Sequence, residues 1–389
     1  MNNSDSRALG IYLHVPFCAS RCGYCDFNTY TAAELGRDSA TISRDTWHQF
    51  AEMELERART SEHLRNDARP VSTVFFGGGT PTQVPAQRLA QTLSAIRTRF
   101  GLSVDAEVTT EANPDSVDVE SLVTLRAAGF TRISFGHQSS SSKVLKVLER
   151  SHEPETTWRA VRAAKEAGFE HINVDLIYAT PGESDDDLRR TLDDVIAADV
   201  DHVSAYSLIV EPGTRLAAQV RRGEVPAPDD DIAAERYRIV DEQLQAAGFG
   251  WYELSNWAKP GGECRHNTLY WHNHDWWGVG PGAHSHMDGL RWWNHKHPAT
   301  WARALSKGED PVADSEVVDN VGQSVERVML GLRLREGIPT AFLAVDVADR
   351  VSAFAAQGLL ETSALKAGRV VLTDAGRLLA DAVIRDLTP

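Results

Sequence analysis

Cysteine is scarce in this sequence, and basic residues are fewer than acidic ones. The chain of 389 residues has four cysteines, and its 40 Lys and Arg against 55 Asp and Glu give a formal net charge of −15. An acidic chain lacks the basic surface that binds nucleic acid or anionic lipid strongly, so no nucleic-acid partner is expected. Four cysteines, three of them clustered, are a poor disulfide framework and suit a reducing compartment.

Long apolar runs are also absent. No stretch of 18 consecutive apolar residues occurs, and the N-terminal segment MNNSDSRALG has no basic region followed by an apolar one. The sequence therefore predicts neither a membrane span nor a secretion signal, and it predicts a cytoplasmic location. With 42% hydrophobic and 24% charged residues, the composition is that of a globular protein long enough for two domains.

Six short β-type runs alternate with amphipathic helical stretches between residue 11 and about residue 210. This alternation is typical of parallel βα units. The six predicted strands span residues 11–16, 71–76, 106–112, 132–138, 171–178 and 202–210. Ser184 and Asp187 predict a capping box at the start of the last helix. The pattern predicts a partial (βα)6 barrel related to the TIM barrel, although an open doubly wound sheet has the same local pattern.

Turn residues and acidic residues interrupt this alternation at 211–231 and indicate a domain boundary. We predict a barrel domain at 1–220 and a smaller α+β domain at 221–389. The second domain contains a His- and Trp-rich segment at 251–301 and ends in a winged-helix-like unit at 320–389. The helices of that unit are not basic, so we interpret it as structural and not as DNA-binding.

Three of the four cysteines, Cys18, Cys22 and Cys25, follow C-x3-C-x2-C spacing directly after the first predicted strand. In a barrel this is the carboxyl-end mouth, where the βα loops form the active site. A structural zinc would need four ligands, with a histidine or the distant Cys264 completing the set. A [4Fe-4S] cluster held by three thiolates leaves one iron open to a second molecule.

Other predicted strand ends carry polar or glycine-rich features. GGGTPT, residues 77–82, follows the second strand, and its glycines allow backbone amides to approach a ligand, although a glycine run alone is usually a tight turn. Glu111 and Gln138 end the third and fourth strands, and Asp175 lies within the fifth. A buried carboxylate needs a hydrogen-bonding or charged partner. For any one of these three residues, a purely structural partner is the common explanation. Three polar groups at one mouth favour a binding site.

The cysteine motif and its position resemble the radical S-adenosylmethionine (SAM) superfamily. In that superfamily SAM binds the open iron, and an electron from the cluster cleaves the sulfonium C–S bond to give a 5′-deoxyadenosyl radical. YLHVPFCASRCGYCDF, FFGGGTPT, EANP and VDLIYATPGES together resemble the oxygen-independent coproporphyrinogen III oxidase group over essentially the whole chain. His137 departs from that pattern. By motif, the resemblance implies SAM contacts from Tyr12, Tyr24, Gly78, Gly79, Thr80, Glu111, Gln138, Arg150, Asp175 and Ile209.

Three features distinguish the oxidases of this group from its heme chaperones. The oxidases have the spacing C-x3-C-x2-C-x-C, and this chain has Phe27 in place of the fourth cysteine. The oxidases also carry an N-terminal arm ahead of the cysteines, whereas only 17 residues precede Cys18 here. CRHNTLYW at 264–271 matches the HNxxYW motif of the heme chaperones in the group. The resemblance therefore implies a heme chaperone that transfers heme to apo-hemoproteins such as respiratory cytochromes. It also implies a homodimer and at most a peripheral membrane contact.

Residues 266–297 contain seven of the 14 histidines and five of the ten tryptophans. Flat aromatic rings supply a surface for a macrocycle, and an imidazole or a thiolate can bind its iron. The resemblance selects His266 as the heme ligand, with Cys264 as the alternative. A Trp-rich core with hydrogen-bonded histidines is the structural alternative.

Two other functions remain open from the sequence. An enzyme of this group would oxidatively decarboxylate coproporphyrinogen III to protoporphyrinogen IX, through abstraction of a β-hydrogen and loss of CO2. Phe27, the short N-terminus and HNTLYW count against this oxidase activity. A zinc-stabilised interaction module is the non-redox alternative. No catalytic residue is assigned from the sequence.

Overall fold

The computed structural model describes residues 7–388, apart from the side chains of Ser39 and Val345. The strands are β1 (Leu9–Val15), β2 (Val71–Gly78), β3 (Leu102–Ala112), β4 (Arg132–Gln138), β5 (His171–Tyr178), β6 (His202–Ser207), β7 (Gly250–Glu253), β8 (Asn256–Ala258), β9 (Asp275–Val279), β10 (His284–Met287), β11 (Leu290–Asn294), β12 (Val312–Val317), β13 (Ile338–Pro339) and β14 (Arg369–Val370). The helices are α1 (Ala32–Leu35), α2 (Trp47–Thr60), α3 (Ala86–Phe100), α4 (Val119–Ala128), α5 (Ser142–Val147), α6 (Pro154–Ala167), α7 (Asp185–Ala197), α8 (Arg215–Arg221), α9 (Asp230–Ala246), α10 (Arg265–Trp271), α11 (Pro298–Ser306), α12 (Asn320–Gly331), α13 (Ala348–Ala356), α14 (Thr362–Lys366), α15 (Asp374–Leu378) and α16 (Ala380–Leu387). Short 3-10 helices lie at Gly36–Ala40, Pro81–Gln83, Pro114–Ser116, Thr340–Phe342 and Val345–Val347.

Six parallel strands, β1 to β6, lie side by side in chain order and confirm the six predicted strands. β1 buries residues on both faces, as parallel strands covered by helices do. β6 ends at Ser207 and not at residue 210, because the chain turns away into the Pro212–Gly213 segment. β3 begins earlier than predicted, at Leu102, with residues that are partly or fully exposed.

Local capping explains where the connecting helices begin and end. Ser184 accepts from the backbone N–H of Asp187, and the Asp187 carboxylate accepts in return from Ser184 N–H, so the predicted capping box of α7 is confirmed. Asp118 makes the same arrangement at the start of α4. Gly129 and Gly168 end α4 and α6 in the left-handed conformation that glycine adopts without strain.

The six-stranded sheet is curved and not flat. Side chains from all six strands, from Tyr12 in β1 to Tyr206 in β6, line a single cavity of about 140 Å³. Only a sheet that curls around its inner face brings its first and last strands to one cavity. The partial-barrel prediction is therefore confirmed, and the open doubly wound sheet is excluded. We call this interior the lumen.

Strands that follow residue 220 extend both edges of the barrel. β9 pairs parallel to β1, with Leu9 opposite Asp275, and β8 pairs antiparallel to β6. The resulting sheet of twelve strands has the order β12-β11-β10-β9-β1-β2-β3-β4-β5-β6-β8-β7 within residues 7–388. The domain boundary near residue 220 stays a prediction, and the chain on both sides of it contributes to this one sheet.

Helix α10 connects the β8 side of the barrel to the β9 side and lies against the amino ends of the central strands. Glu107 of β3 accepts from the backbone N–H groups of Arg265 and His266, the first two residues of α10. Arg132, the first residue of β4, pairs with Glu107 at 3.1 Å and donates to Gly262 O at 2.8 Å. This buried ion pair satisfies orphan amides at the start of the helix and holds it under the lumen.

The C-terminal residues form a small unit with its own core. Val328, Leu332, Ile338 and other apolar side chains of α12 to α16 pack together around the two-stranded β13–β14 sheet. Arg377 joins this unit to the rest of the chain through an ion pair with Asp241. Its winged-helix-like character stays a prediction. Between residues 7 and 388 no helix has the length and apolar character needed to cross a membrane.

Candidate functional site

The three clustered cysteines lie on the loop after β1, at the carboxyl ends of the parallel strands. Cys18, Cys22 and Cys25 are free thiols of intermediate exposure. A hydrogen bond from Cys18 N–H to Tyr30 O, at 3.1 Å, closes the loop against the barrel. Burial raises the pKa of the Cys18 thiol to about 11. The structure therefore brings all three thiols to the barrel mouth on one loop.

Arg150 links this cysteine loop to two strand ends. Its Nη1 donates to Cys22 Sγ at 3.4 Å, and its Nη2 donates to Asn113 Oδ1 at 2.9 Å and to Gly136 O at 2.7 Å. Asn113 in turn donates to Thr80 Oγ1 at 3.3 Å. The contact of Arg150 with Cys22 places a positive charge beside one of the three sulfurs of the cysteine loop. Sequence reasoning missed Asn113, although it lies in the EANP motif that carries Glu111.

Gly78 is the last residue of β2, and Gly79 follows it and packs against the start of the cysteine loop. Gly79 N–H donates to Val15 O and Thr80 N–H donates to Phe17 O, both at 2.8 Å. A Cβ on Gly79 would lie 2.6 Å from Phe17 O, and Gly78 has a φ of 108°. The close approach of the chain to itself therefore requires these two glycines. A SAM contact at Gly78, Gly79 and Thr80 stays a prediction.

Two carboxyls, Glu111 and Asp175, project into the lumen, shielded from bulk water. This shielding and the charge of Asp175 raise the pKa of Glu111 to about 8, although Gly78 N–H donates to its Oε2 at 3.0 Å. Burial also raises the pKa of Asp175, which accepts from Ser134 Oγ at 2.9 Å and from Asn173 Nδ2 at 2.7 Å. Both groups hold a proton more strongly than in water, and a cation placed beside them would favour its release.

A polar network that sequence reasoning missed lies below these carboxyls. Asn173 Nδ2 donates to Ser134 Oγ at 2.6 Å and to Ser204 Oγ at 3.1 Å, and Asn173 Oδ1 lies 2.6 Å from His202 Nδ1. These residues alternate with apolar ones along β4, β5 and β6. Polar side chains at intervals of two in otherwise apolar parallel strands are the signal that could have found them.

The remaining predicted SAM residues lie around the same mouth. Tyr12 lines the lumen, with its Oη 3.0 Å from His14 Nδ1. Tyr24 is on the cysteine loop, and Gln138 ends β4 with a φ of 70°. A glutamine in the left-handed backbone conformation is strained, and residues with such strain are frequent at functional sites. Ile209 lies beyond the end of β6, and 66% of its surface is exposed.

His137, which departs from the family pattern, has a structural role. It is fully buried, with Nδ1 2.9 Å from Thr157 Oγ1 and Nε2 3.1 Å from Ser140 Oγ. Burial lowers its pKa to about 3, so the ring is neutral at physiological pH. It therefore packs behind the mouth and does not point into it.

The two predicted heme ligands, His266 and Cys264, lie at the opposite end of the lumen from the cysteine loop. His266 is 1% exposed, with Nδ1 2.8 Å from Thr73 Oγ1 and Nε2 2.8 Å from Tyr270 Oη. Cys264 is also buried, and its Sγ donates to Glu107 at 3.5 Å. Both side chains are shielded from solvent, and their role as heme ligands stays a prediction.

The donor set at the mouth fits a [4Fe-4S] cluster. Three thiols that are not in disulfides could supply one ligand to each of three irons and would leave the fourth iron open. Arg150 donates towards one of these sulfurs, and such hydrogen bonds are common at cluster ligands. Within residues 7–388 no three metal-binding side chains converge as a single ion would require. Cluster thiolates need not converge, because each binds a different iron.

A curved parallel sheet with a three-cysteine loop after its first strand is the arrangement of a radical SAM protein. Residues 12–195 match the Radical SAM superfamily, and residues 323–379 match the HemN C-terminal domain. The structure resembles that of coproporphyrinogen III oxidase (HemN) from Escherichia coli, with a TM-score of 0.81 and 21% sequence identity over 98% of this chain and 90% of that one. At this identity the likeness shows a shared fold.

Two bacterial relatives match this chain over most of its length. The chain is 53% identical to the heme chaperone HemW of Mycobacterium tuberculosis over 381 residues, which cover 97% of this chain and 94% of that protein. It is 33% identical to the heme chaperone HemW of Bacillus subtilis over 328 residues, or 84% of each chain. The chain therefore belongs to the HemW family of radical SAM proteins, and this superfamily implies a [4Fe-4S] cluster and SAM.

Proposed function

We propose that this protein is a heme chaperone, which carries a [4Fe-4S] cluster and SAM, binds heme and transfers it to apo-hemoproteins such as respiratory cytochromes. The observation that carries the proposal is the 53% identity to the heme chaperone HemW of Mycobacterium tuberculosis across nearly all of both chains. Phe27 supports it further. This residue takes the place of the fourth cysteine in the oxidase pattern, and 60% of its surface is exposed.

Residues at the mouth take the following roles in this proposal. Cys18, Cys22 and Cys25 bind three irons of the cluster, and Arg150 holds the cysteine loop against the ends of β3 and β4. When bound, the cluster and SAM supply one-electron cleavage of the sulfonium C–S bond. The residues that contact SAM are proposed to be Tyr12, Tyr24, Gly78, Gly79, Thr80, Glu111, Gln138, Arg150, Asp175 and Ile209.

A homodimer and a transient, peripheral contact with membrane-bound recipients complete the proposal. The outer edge of β12 supports a homodimer, because β12 ends the large sheet and most of its residues are exposed. An exposed strand edge is a template for pairing with a second chain. The oligomeric state of the reconstituted protein, measured by light scattering, tests this part.

An anaerobic heme titration of the reconstituted protein tests the main proposal. Wild type is compared with Cys18→Ala, which removes a cluster ligand, and with Cys264→Ala, which removes a cysteine outside the loop. Iron and labile sulfide are expected to fall in Cys18→Ala and to stay at the wild-type level in Cys264→Ala. Wild type is expected to take up heme stoichiometrically and to deliver it to an apo-cytochrome.

The same wild-type sample is then incubated anaerobically with SAM, a reductant and coproporphyrinogen III. No protoporphyrinogen IX is expected. Turnover combined with weak heme uptake would identify an oxidase and contradict the chaperone proposal. A preparation that contains zinc and no labile sulfide would contradict the cluster assignment.

A further inference from the structure

An open groove lies where the end of α10 meets the C-terminal unit. It has a volume of about 240 Å³ and is lined by Trp271 and His272 at the end of α10, by Arg327 of α12, and by Arg369 and Arg7. Ile338, Pro339 and Phe342 form an apolar wall on one side. We call it the arginine groove. It lies outside the lumen and shares no lining residue with it.

Two of the three arginines in the arginine groove have no carboxylate partner within residues 7–388, although the acidic residue Glu336 also lines the groove. Arg327 stacks over the Phe342 ring at 5.0 Å and has no ion-pair partner within residues 7–388. Arg369 donates to the backbone carbonyls of Glu336 and Gly337, so its charge is also without a carboxylate. Arg7 pairs with Asp275. The groove therefore retains positive charge in a protein whose net charge is −15.

Two side chains at the end of α10 lack a strong partner in the groove. Trp271 Nε1 is shielded from solvent and has no hydrogen-bond acceptor within the part of the chain that the structure describes. A shielded N–H without an acceptor is unfavourable unless a ligand or water supplies one. His272 is exposed, and its Nδ1 lies 3.7 Å from Glu336 Oε1, which is too long for a strong hydrogen bond. Its imidazole is therefore accessible to a metal.

We infer that the arginine groove binds the propionate edge of heme, with His272 as the axial ligand of the iron. This inference rests on the proposed function and names its site. Arginine pairs with carboxylates through two parallel N–H groups, an indole supplies an aromatic face, and histidine is a common heme ligand. The groove is smaller than most ligand pockets, which measure about 300–1,000 Å³. It would hold one edge of the macrocycle and leave the rest exposed. Partial exposure of this kind would allow heme to be transferred to an apo-protein.

Another cavity outside the lumen that has a histidine and tryptophans is less suited to propionates. His63 stacks on Trp292 at 5.6 Å there, and Glu54, Glu62 and Asp310 line the same cavity of about 290 Å³. Its three carboxyl groups outnumber its one arginine, Arg57, whereas the arginine groove has three arginines and one glutamate, so this cavity is the less favourable one for propionates. Its histidine nevertheless provides a matched control, because His63 is another accessible imidazole stacked near a tryptophan.

The test compares hemin with its dimethyl ester, in which both propionates are neutral, on the cluster-loaded protein. Arg327→Gln is expected to weaken hemin binding about tenfold and to leave binding of the dimethyl ester unchanged. His272→Ala is expected to weaken both ligands and to change the Soret absorbance of the bound heme. Arg385→Gln, at an exposed position on α16, and His63→Ala are expected to bind both ligands like wild type.

The outcomes separate this inference from the proposed function. Wild type that takes up no heme contradicts the heme-chaperone function itself. Wild type that binds heme while Arg327→Gln and His272→Ala match it overturns the arginine groove and leaves the function intact. If Arg327→Gln loses hemin and ester binding equally, the effect is structural and the site is overturned. Loss of heme binding in His63→Ala alone would overturn it as well.

Discussion

Thr73 Oγ1 and His266 Nδ1 lie 2.8 Å apart at the base of the lumen, although 193 residues separate them in the chain. The other nitrogen of the imidazole lies 2.8 Å from Tyr270 Oη, and the ring stacks on Phe75 at 5.2 Å. Both ring nitrogens of His266 therefore have a hydrogen-bond partner, one on β2 and one on α10. The histidine of the HNTLYW motif anchors α10 to β2.

We predict that His266→Ala and Thr73→Val both lower stability and that neither changes heme affinity by more than about twofold. Thr73→Val keeps the shape of the side chain but leaves the imidazole without one partner, at a cost of about 1–3 kcal/mol. Urea unfolding and heme titration of each variant check this. If His266 is a heme ligand, heme binding is lost in His266→Ala and kept in Thr73→Val.

The raised pKa of Glu111, about 8, predicts a pH dependence of SAM binding. A cation beside Glu111 favours the ionised carboxylate, so below pH 8 the binding of SAM must displace a proton from Glu111. The affinity for SAM is therefore expected to rise as the pH increases towards 8. The slope approaches tenfold per pH unit well below the pKa. Equilibrium dialysis of SAM against the anaerobic protein from pH 6 to 9 measures it.

Glu111→Gln is the control for this dependence. It retains the shape of the side chain and removes the titration, so its affinity is expected to change less with pH than that of wild type. Any slope that both proteins share belongs to SAM or to another group. Identical slopes in the two proteins would show that Glu111 does not bind the cation.

The buried ion pair between Arg132 and Glu107 predicts a large effect on stability. Arg132→Met leaves the Glu107 carboxylate buried and unpaired, which costs about 3–5 kcal/mol. The double variant with Glu107→Leu is expected to be more stable than Arg132→Met alone, because it removes the unpaired charge. Arg57→Gln, which breaks an exposed pair with Asp310, is expected to cost less than about 1 kcal/mol. Urea unfolding checks all three, and equal costs for the two arginines would contradict the prediction.

Arg150 predicts an effect on the reduction potential of the bound cluster. Its guanidinium donates to Cys22 Sγ and stabilises the added negative charge of the reduced cluster. Arg150→Gln is therefore expected to lower the potential by on the order of tens of millivolts, as measured by an EPR-monitored redox titration. Arg222→Gln removes an exposed charge that pairs with Glu224 away from the cysteine loop and is expected to have little effect. Equal shifts in both variants would show that the contact with the sulfur is unimportant.

The parallel core is predictable from the sequence because its strands are long apolar runs. β1, with the sequence LGIYLHV, is buried along nearly its whole length. Such a run can be predicted as a strand from its own sequence, without knowledge of the strands that pair with it. β8 and β10 have only three and four residues, NWA and HSHM, and become strands through pairing with distant neighbours. Local patterns cannot predict such strands, so the extension of the barrel at both edges was missed.

The mouth is more predictable than the base of the lumen for a similar reason. The cysteine spacing places Cys18, Cys22 and Cys25 on one loop without any knowledge of tertiary contacts. The position of His266 depends on how Glu107 and Arg132 hold α10 under the barrel, and both are remote in sequence. The motif marks His266 as important, but only the packing shows that it faces inwards.

The placement of β9 beside β1 has a consequence for synthesis of the chain. Leu9 pairs with Asp275, so one side of the first strand stays open until most of the chain has left the ribosome. At about 5–20 residues per second, this takes between about ten seconds and a minute. Throughout translation of the intervening segment, the cysteine loop is attached to a strand with a free edge. During that time the free edge of β1 is a template for mispairing with neighbouring nascent chains.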